Sequence, residues 1–117
     1  KAKAQVRVIF MTEGDGDEWS PRPWPGRRLG EVRHDEALTA CRVLGLGDKD
    51  IVFLGYPDGG LMSMFTAHWG LEPAYRSPLS GTTIVSFSTA RRPGAPHKGE
   101  SVMADLVDLI RTFDPRK

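Results

Sequence analysis

The run from Arg33 to Gly60, RHDEALTACRVLGLGDKDIVFLGYPDGG, constrains the fold more than any other part of the chain. Its first part repeats at three- and four-residue spacing: Arg33, Glu36, Ala37, Ala40, Cys41 and Leu44 share one face of a helix predicted from about Leu29 to Leu44. Most of that face is small and apolar and suits packing on a sheet, with Arg33 and Glu36 in its first turns. Gly45 and Gly47 end the helix, because glycine adopts the left-handed conformation of a C-cap without a Cβ clash. Asp50 to Tyr56 (DIVFLGY) reads as a buried strand, and Pro57-Asp58-Gly59-Gly60 as a turn at its carboxyl end. In an α/β sheet ligands bind there, in the crevice outside the strand ends.

The flanking segments fit the same plan. Lys1 to Gln5 is short and basic, the tail of a preceding helix or linker, and Val6 to Met11 (VRVIFM) is a second apolar, β-branched strand. An acidic loop from Thr12 to Glu18 follows, then Trp19 to Gly26 (WSPRPWPG), an ordered surface loop because its prolines exclude helix and sheet. Leu61 to Trp69 is a short helix. Gly70 to Gly99 is a long loop rich in proline and glycine, with a strand or hairpin arm at Thr82 to Ser88. Val102, Met103, Leu106, Leu109, Ile110 and Phe113 mark a final helix that starts at Glu100 and stops at Pro115. There is no internal repeat. Strand, helix, strand, loop, helix predicts an α/β domain with parallel pairing.

Totals narrow the function. A chain of 117 residues holds one small domain. A net charge of +1 gives no footprint for nucleic acid or an acidic membrane surface. The single cysteine, Cys41, forbids an internal disulfide and is expected as a buried thiol. No run spans a membrane and no signal peptide opens the chain, so a cytoplasmic protein is the expectation. The start at Lys1 and the stop at Lys117 just after a helix predict a piece of a longer polypeptide. Two strands alone leave bare edges, so low stability or self-association into a homo-oligomer is expected of the isolated segment.

Four residues are candidates for a site. Arg33 and Glu36 form either a solvated pair three residues apart or, at the rim of a buried face, a structural bridge or a ligand contact. Asp58 is either ordinary turn chemistry or a ligand group outside a strand end. Glu13, Asp15, Asp17 and Glu18 are expected as a solvated acidic loop, in which Glu13 adjoins the end of the first strand and is placed to face a ligand. Glu13, Asp15, Asp17 and Glu18 do not make a calcium loop, since the sixth position from Glu13 is Glu18 where glycine is required. His34, His68 and His97 lack zinc spacing. Adjacent helical side chains diverge, so His34 and Asp35 are expected to be exposed. Trp19, Trp24, Tyr56, Trp69 and Tyr75 flank these loops, where they stack on sugars or clamp the prolines; for Trp24 the clamp is expected.

Together, Thr12-Glu13-Gly14, Arg33-x-x-Glu36-x-x-x-Ala40-x-x-x-Leu44-Gly45 and Phe53-Leu54-Gly55-Tyr56-Pro57-Asp58-Gly59 resemble the LmbE-like (PIG-L) family. This family of zinc-dependent de-N-acetylases includes the N-acetylglucosaminyl-phosphatidylinositol deacetylases. The resemblance covers Val6 to about Leu61, is weak across an apparent insertion at about 70–99, and resumes at the final helix with Phe113-Asp114-Pro115. It implies an incomplete Rossmann-like three-layer α/β fold with a parallel sheet, residues 1–117 forming one partial deacetylase domain. It also implies a zinc-activated water attacking an N-acetyl carbonyl, with an aspartate as base. The family's metal motifs, a His-Pro-Asp-Asp run and a His-x-Asp-His run, are absent from this sequence. Zinc ligands and catalytic residues are therefore expected outside this chain, which alone would be inactive and bind no zinc. The resemblance carries over only the substrate side: Arg33 matches a substrate-contacting arginine, Asp58 a polar position at the pocket mouth and Glu13 the position after the family's second strand, with Glu36 supporting Arg33. The expected partner is an N-acetylated amino sugar or glycoconjugate. The competing reading is a non-catalytic carbohydrate- or nucleotide-binding α/β module.

Overall fold

A computed structural model describes residues 5–16 and 26–113. Its elements are β1 (Val8–Thr12), α1 (Gly26–Val43), a single 3-10 turn (Asp48–Asp50), β2 (Ile51–Tyr56), α2 (Leu61–Ala67) and α3 (Gly99–Phe113). The strands pair in parallel, with Val8 opposite Ile51 and Phe10 opposite Phe53. Alternation puts opposite faces of this small sheet against different helices. Val8, Phe10, Ile51 and Phe53 join Ala37, Leu38 and Cys41 of α1 in one cluster. Leu54 and Tyr56, backed by Ile9, Met11 and Val52, meet Met64 of α2 and Val102 and Leu109 of α3 in the other. Helices on both faces of a parallel sheet give an α/β fold, incomplete at two strands among the described residues. No described helix is long and apolar enough to cross a membrane.

Local chemistry sets the boundaries. Gly45, at φ +88°, ends α1. Its amide bonds the Arg42 carbonyl at 3.0 Å and the Leu46 amide reaches back to Cys41 at 3.1 Å, the paired bonds of a Schellman cap. Outside, Arg42 grips Asp48 through two 2.9 Å bonds. The register slips between Phe10 and Thr12, where β2 spends one residue more than β1 to reach Tyr56. Gly55 takes up the slip at φ +79°, and a Cβ there would stand 2.8 Å from Ala90 Cβ and 2.9 Å from Val85 Cγ1. Glycine is required at this position on both counts.

The 70–99 segment is loop-rich, as predicted, yet it is part of the core. Val85, Phe87, Ala90 and Ala95 are buried against β2 and α3. Thr82 to Ser88 forms no strand; it makes one antiparallel bridge, Ile84 to Pro96, flanked by bonds from the Val85 amide to Ala95 and the His97 amide to Thr83. The Arg91 amide ties this strap to the Phe53 carbonyl of β2 at 2.8 Å. A buried polar junction ties it to α3. Tyr56, fully buried, donates its hydroxyl to Asp105 Oδ2 at 2.6 Å, and Asp105 Oδ1 receives Arg92 Nε from the strap. Burial first, then the Asp105 carboxylate, hold the Tyr56 hydroxyl well above its ordinary range.

The predicted helix face needs correction. Leu44 is 79% exposed, and Ala40 and Glu36 also face solvent. The packed face is rotated by about one residue and runs through Gly30, His34, Ala37, Leu38 and Cys41. His34 is buried, contrary to expectation, while Asp35 is exposed as expected. Cys41 is a buried free thiol. Asp17 to Pro25, with Trp19 and Trp24, and the terminal stretches 1–4 and 114–117 lie outside the described residues.

Candidate active site at the strand ends

The carboxyl ends of β1 and β2 deliver two loops to one place. Glu13-Gly14-Asp15-Gly16 follows β1, and Pro57-Asp58-Gly59-Gly60 follows β2. They clasp each other: the Asp58 amide donates to Asp15 Oδ1 at 3.0 Å, and the Gly16 amide donates to Asp58 Oδ2 at 3.2 Å. A Cβ on Gly16 would sit 2.9 Å from Asp58 Oδ2, so the small residue permits the clasp. Asp15 is 2% exposed, and its Oδ2 has no hydrogen-bond partner. Burial raises its pKa and the Asp58 carboxylate adds to the rise, while the Asp58 amide opposes it.

Helix α1 crosses these loops with its first half. At Gly30 an added Cβ would stand 2.6 Å from the Phe87 ring and 3.4 Å from Asp15 Cβ, so the missing side chain sets how closely helix, loop and strap approach. The Arg33 stem lies over Gly14, with Cγ 3.6 Å from where a Cβ would be. Its guanidinium meets Glu36 Oε1 at 3.2 Å, with the Arg33 side chain partly covered and Glu36 largely in solvent. Below it, His34 lays its ring on Phe53 at a centroid distance of 3.8 Å. His34 Nδ1 points at Glu13 Oε2, 3.6 Å away, too far for a hydrogen bond.

Glu13 is the most perturbed carboxyl of the group. Its side chain is wholly buried and neither oxygen has a hydrogen-bond partner. Burial, reinforced by Asp15, pushes its pKa up to about 7 from an ordinary 4.5. Burial lowers that of His34, against a smaller opposing pull from Asp35. A cavity of about 240 Å³ opens here, lined by Thr12, Glu13, Gly14, Arg33, His34, Ala37 and the Phe10 and Phe53 rings. A second, of about 210 Å³, lies on the other side of His34 against Phe87, Ser88 and Thr89.

Three of the sequence candidates thus converge: Glu13 and Arg33 line one cavity, and Asp58 stands in the neighbouring clasp. Glu36 reaches the site through Arg33. Two participants went unseen in the sequence. Asp15 falls in the loop expected to be solvated, yet its place between two glycines lets the backbone fold tightly around it. His34, expected to be exposed, is buried; its spacing of seven from Cys41 and four from Leu38 is the signal for the buried face. A zinc ion does not fit these residues. Glu13 with His34 and Asp15 with Asp58 are pairs, and among the described residues no three His, Cys, Asp or Glu side chains could hold a metal.

The described residues make an α/β domain whose carboxylates and Arg33 gather outside the ends of parallel strands, the place where open α/β sheets bind ligands. The model of the PIG-L family, described as GlcNAc-PI de-N-acetylase, matches residues 1–117, and the chain belongs to that family. The match runs across the 70–99 strap as well as the strands. No curated protein and no solved structure matches the chain.

Proposed function

We propose that this chain forms the substrate-binding part of a zinc-dependent de-N-acetylase that hydrolyses the N-acetyl group of an amino sugar or glycoconjugate. Family membership supports deacetylase chemistry in general. The observation that carries the substrate reading is Arg33, lying over Gly14 at the end of β1 with the Asp15–Asp58 clasp alongside. There its planar fork of donors meets sugar hydroxyls or a phosphate. Asp58 accepts from a hydroxyl, Glu13 backs the cavity and Glu36 steadies the guanidinium. In this reading zinc and the general base are held by residues outside this chain, and the chain alone neither binds zinc at a specific site nor hydrolyses substrate.

The test is a pair of substitutions in the intact enzyme. Arg33→Lys keeps the charge and loses the fork, so KM rises about tenfold, the equivalent of one lost charge-assisted hydrogen bond, with little change in melting temperature. Arg33→Ala raises it further. If Arg33 served only as a structural bridge to Glu36, KM would hold in both variants, and that result ends the assignment.

A further inference from the structure

We propose that Glu13 and His34 are a positioning pair that holds one proton between them and thereby fixes Arg33 over the β1 loop. Glu13 Oε1 and Oε2 and His34 Nδ1 are buried without hydrogen-bond partners, and the pair stands 3.6 Å apart. Polar atoms sealed from water are costly unless they bond one another. A protonated Glu13 donating its O–H to His34 Nδ1 gives one Glu13 oxygen and the ring nitrogen a partner and leaves no buried charge. An approach of about half an ångström makes that bond. In this arrangement His34 carries its own hydrogen on Nε2. The perturbed ionisation of both groups favours the same neutral form.

The pair bears on Arg33 through the backbone. Glu13 precedes Gly14, the residue under the Arg33 stem, and His34 follows Arg33 on α1. A bond between the two therefore fixes the helix against the loop at the point where Arg33 crosses. The charges around the pair do not replace it. Asp15 on the same loop and Asp58 on the β2 loop are both acidic, and Asp15 acts directly on Glu13. On α1, Arg33 is turned to Glu36, and Asp35 favours a charged His34 only weakly against burial. The strap brings Val85 and Ala90 to Gly55, whose Cβ position is 3.6 Å from Glu13 Oε1, and these are apolar. His34 also borders the second cavity, beside Glu31, Asp35, Ser88 and Thr89, which opens a way to water. On ionisation the Glu13 O–H breaks and its proton leaves to solvent through the cavity that Glu13 lines, while His34 keeps its hydrogen on Nε2 and its Nδ1 lone pair is left facing the carboxylate. Glu13 is then a third carboxylate beside Asp15 and Asp58, and the helix is no longer tied to the loop.

Proton holding stands by itself, whereas the effect on ligand rests on the function proposed above. Infrared spectra of the intact protein with carbon-13-labelled glutamate, recorded from about pH 5 to about pH 9, read the first. The expected result is a buried carboxylic-acid band that disappears around neutral pH and is missing from Glu13→Gln. Ionisation of every glutamate in the ordinary carboxylate range overturns the proposal, and this wild-type measurement requires no variant to fold. Calorimetric titration with N-acetylglucosamine reads the second. Between about pH 6 and about pH 8 the protonated fraction falls about tenfold, so the apparent Kd rises about tenfold, and Glu13→Gln abolishes that dependence. A dependence retained in Glu13→Gln overturns the coupling to Arg33. The band with no sugar binding at any pH upholds the proton pair and removes the sugar reading.

Discussion

Replacing Tyr56 with phenylalanine removes one oxygen from a site that water does not reach, and the loss can be sized. Tyr56 is fully buried and Asp105 is 3% exposed, with 2.6 Å between hydroxyl and carboxylate. A buried hydrogen bond to a charged partner is worth about 1.5–3 kcal/mol, and the surviving Arg92 contact spares Asp105 complete isolation. About 2 kcal/mol is therefore expected, which lowers the urea midpoint by about 1 M at an unchanged slope of about 2 kcal/mol per molar. The assay is equilibrium unfolding of the intact protein, repeated in an Asp105→Ala background. There the hydroxyl has already lost its acceptor, so Tyr56→Phe should cost less than about 0.5 kcal/mol. Equal losses in both backgrounds would refute the reasoning, because the energy would then lie in ring packing rather than in the junction.

Stability should fall with pH because of Glu13. Its folded pKa, about 7, lies above the ordinary 4.5, so its contribution is complete below about 4.5 and lost as pH rises through 7. Screened by the neighbouring cavity, the loss is about 2 kcal/mol, and Glu13→Gln should overtake the wild type in melting temperature above neutral pH; parallel pH curves would contradict this. Gly30→Ala puts a methyl group 2.6 Å from the Phe87 ring. Overpacking of about 1–3 kcal/mol outweighs the gain of just under about 1 kcal/mol in helix propensity, so the urea midpoint should drop, and a raised midpoint would mean that Phe87 simply swings aside. Arg42→Ala, by contrast, removes a bond between exposed ions that salt screens, and its midpoint should match the wild type within error.

The elements readable from the sequence were those with a period. Val6 to Met11 and Asp50 to Tyr56 predicted β1 and β2 within two residues of the observed ends, and the apolar spacing from Val102 to Phe113 marked α3. The strap was not readable as core: Val85 and Phe87 alternate as in a strand arm, but Ala90 and Ala95 follow no repeat, and all four are placed by contacts with β2 and α3. The candidate site residues were brought together as their positions suggest, while their environment was misread. Arg33, Asp58 and Glu13 stand where a strand-end crevice demands, whereas the burial of His34 hinged on a helical phase shifted by one residue. Glu13 and Asp15 looked like solvated acids because the sequence does not show that α1 closes over them, with Gly30 allowing the close approach.

The bond from the Arg91 amide to the Phe53 carbonyl has a directional consequence. A strand edge recruits further strands through its free carbonyls and amides, and on β2 that place is already taken by the strap. A lateral neighbour meets a proline- and glycine-rich segment whose backbone is bonded to itself, from Val85 to Ala95 and from Thr83 to His97. Among the described residues β1 is left as the side that accepts company. Among the described residues the sheet is thus lopsided: its β2 side carries the strap, and the edge of Val8–Thr12 runs at its carboxyl end into the crevice where Glu13 and Arg33 stand.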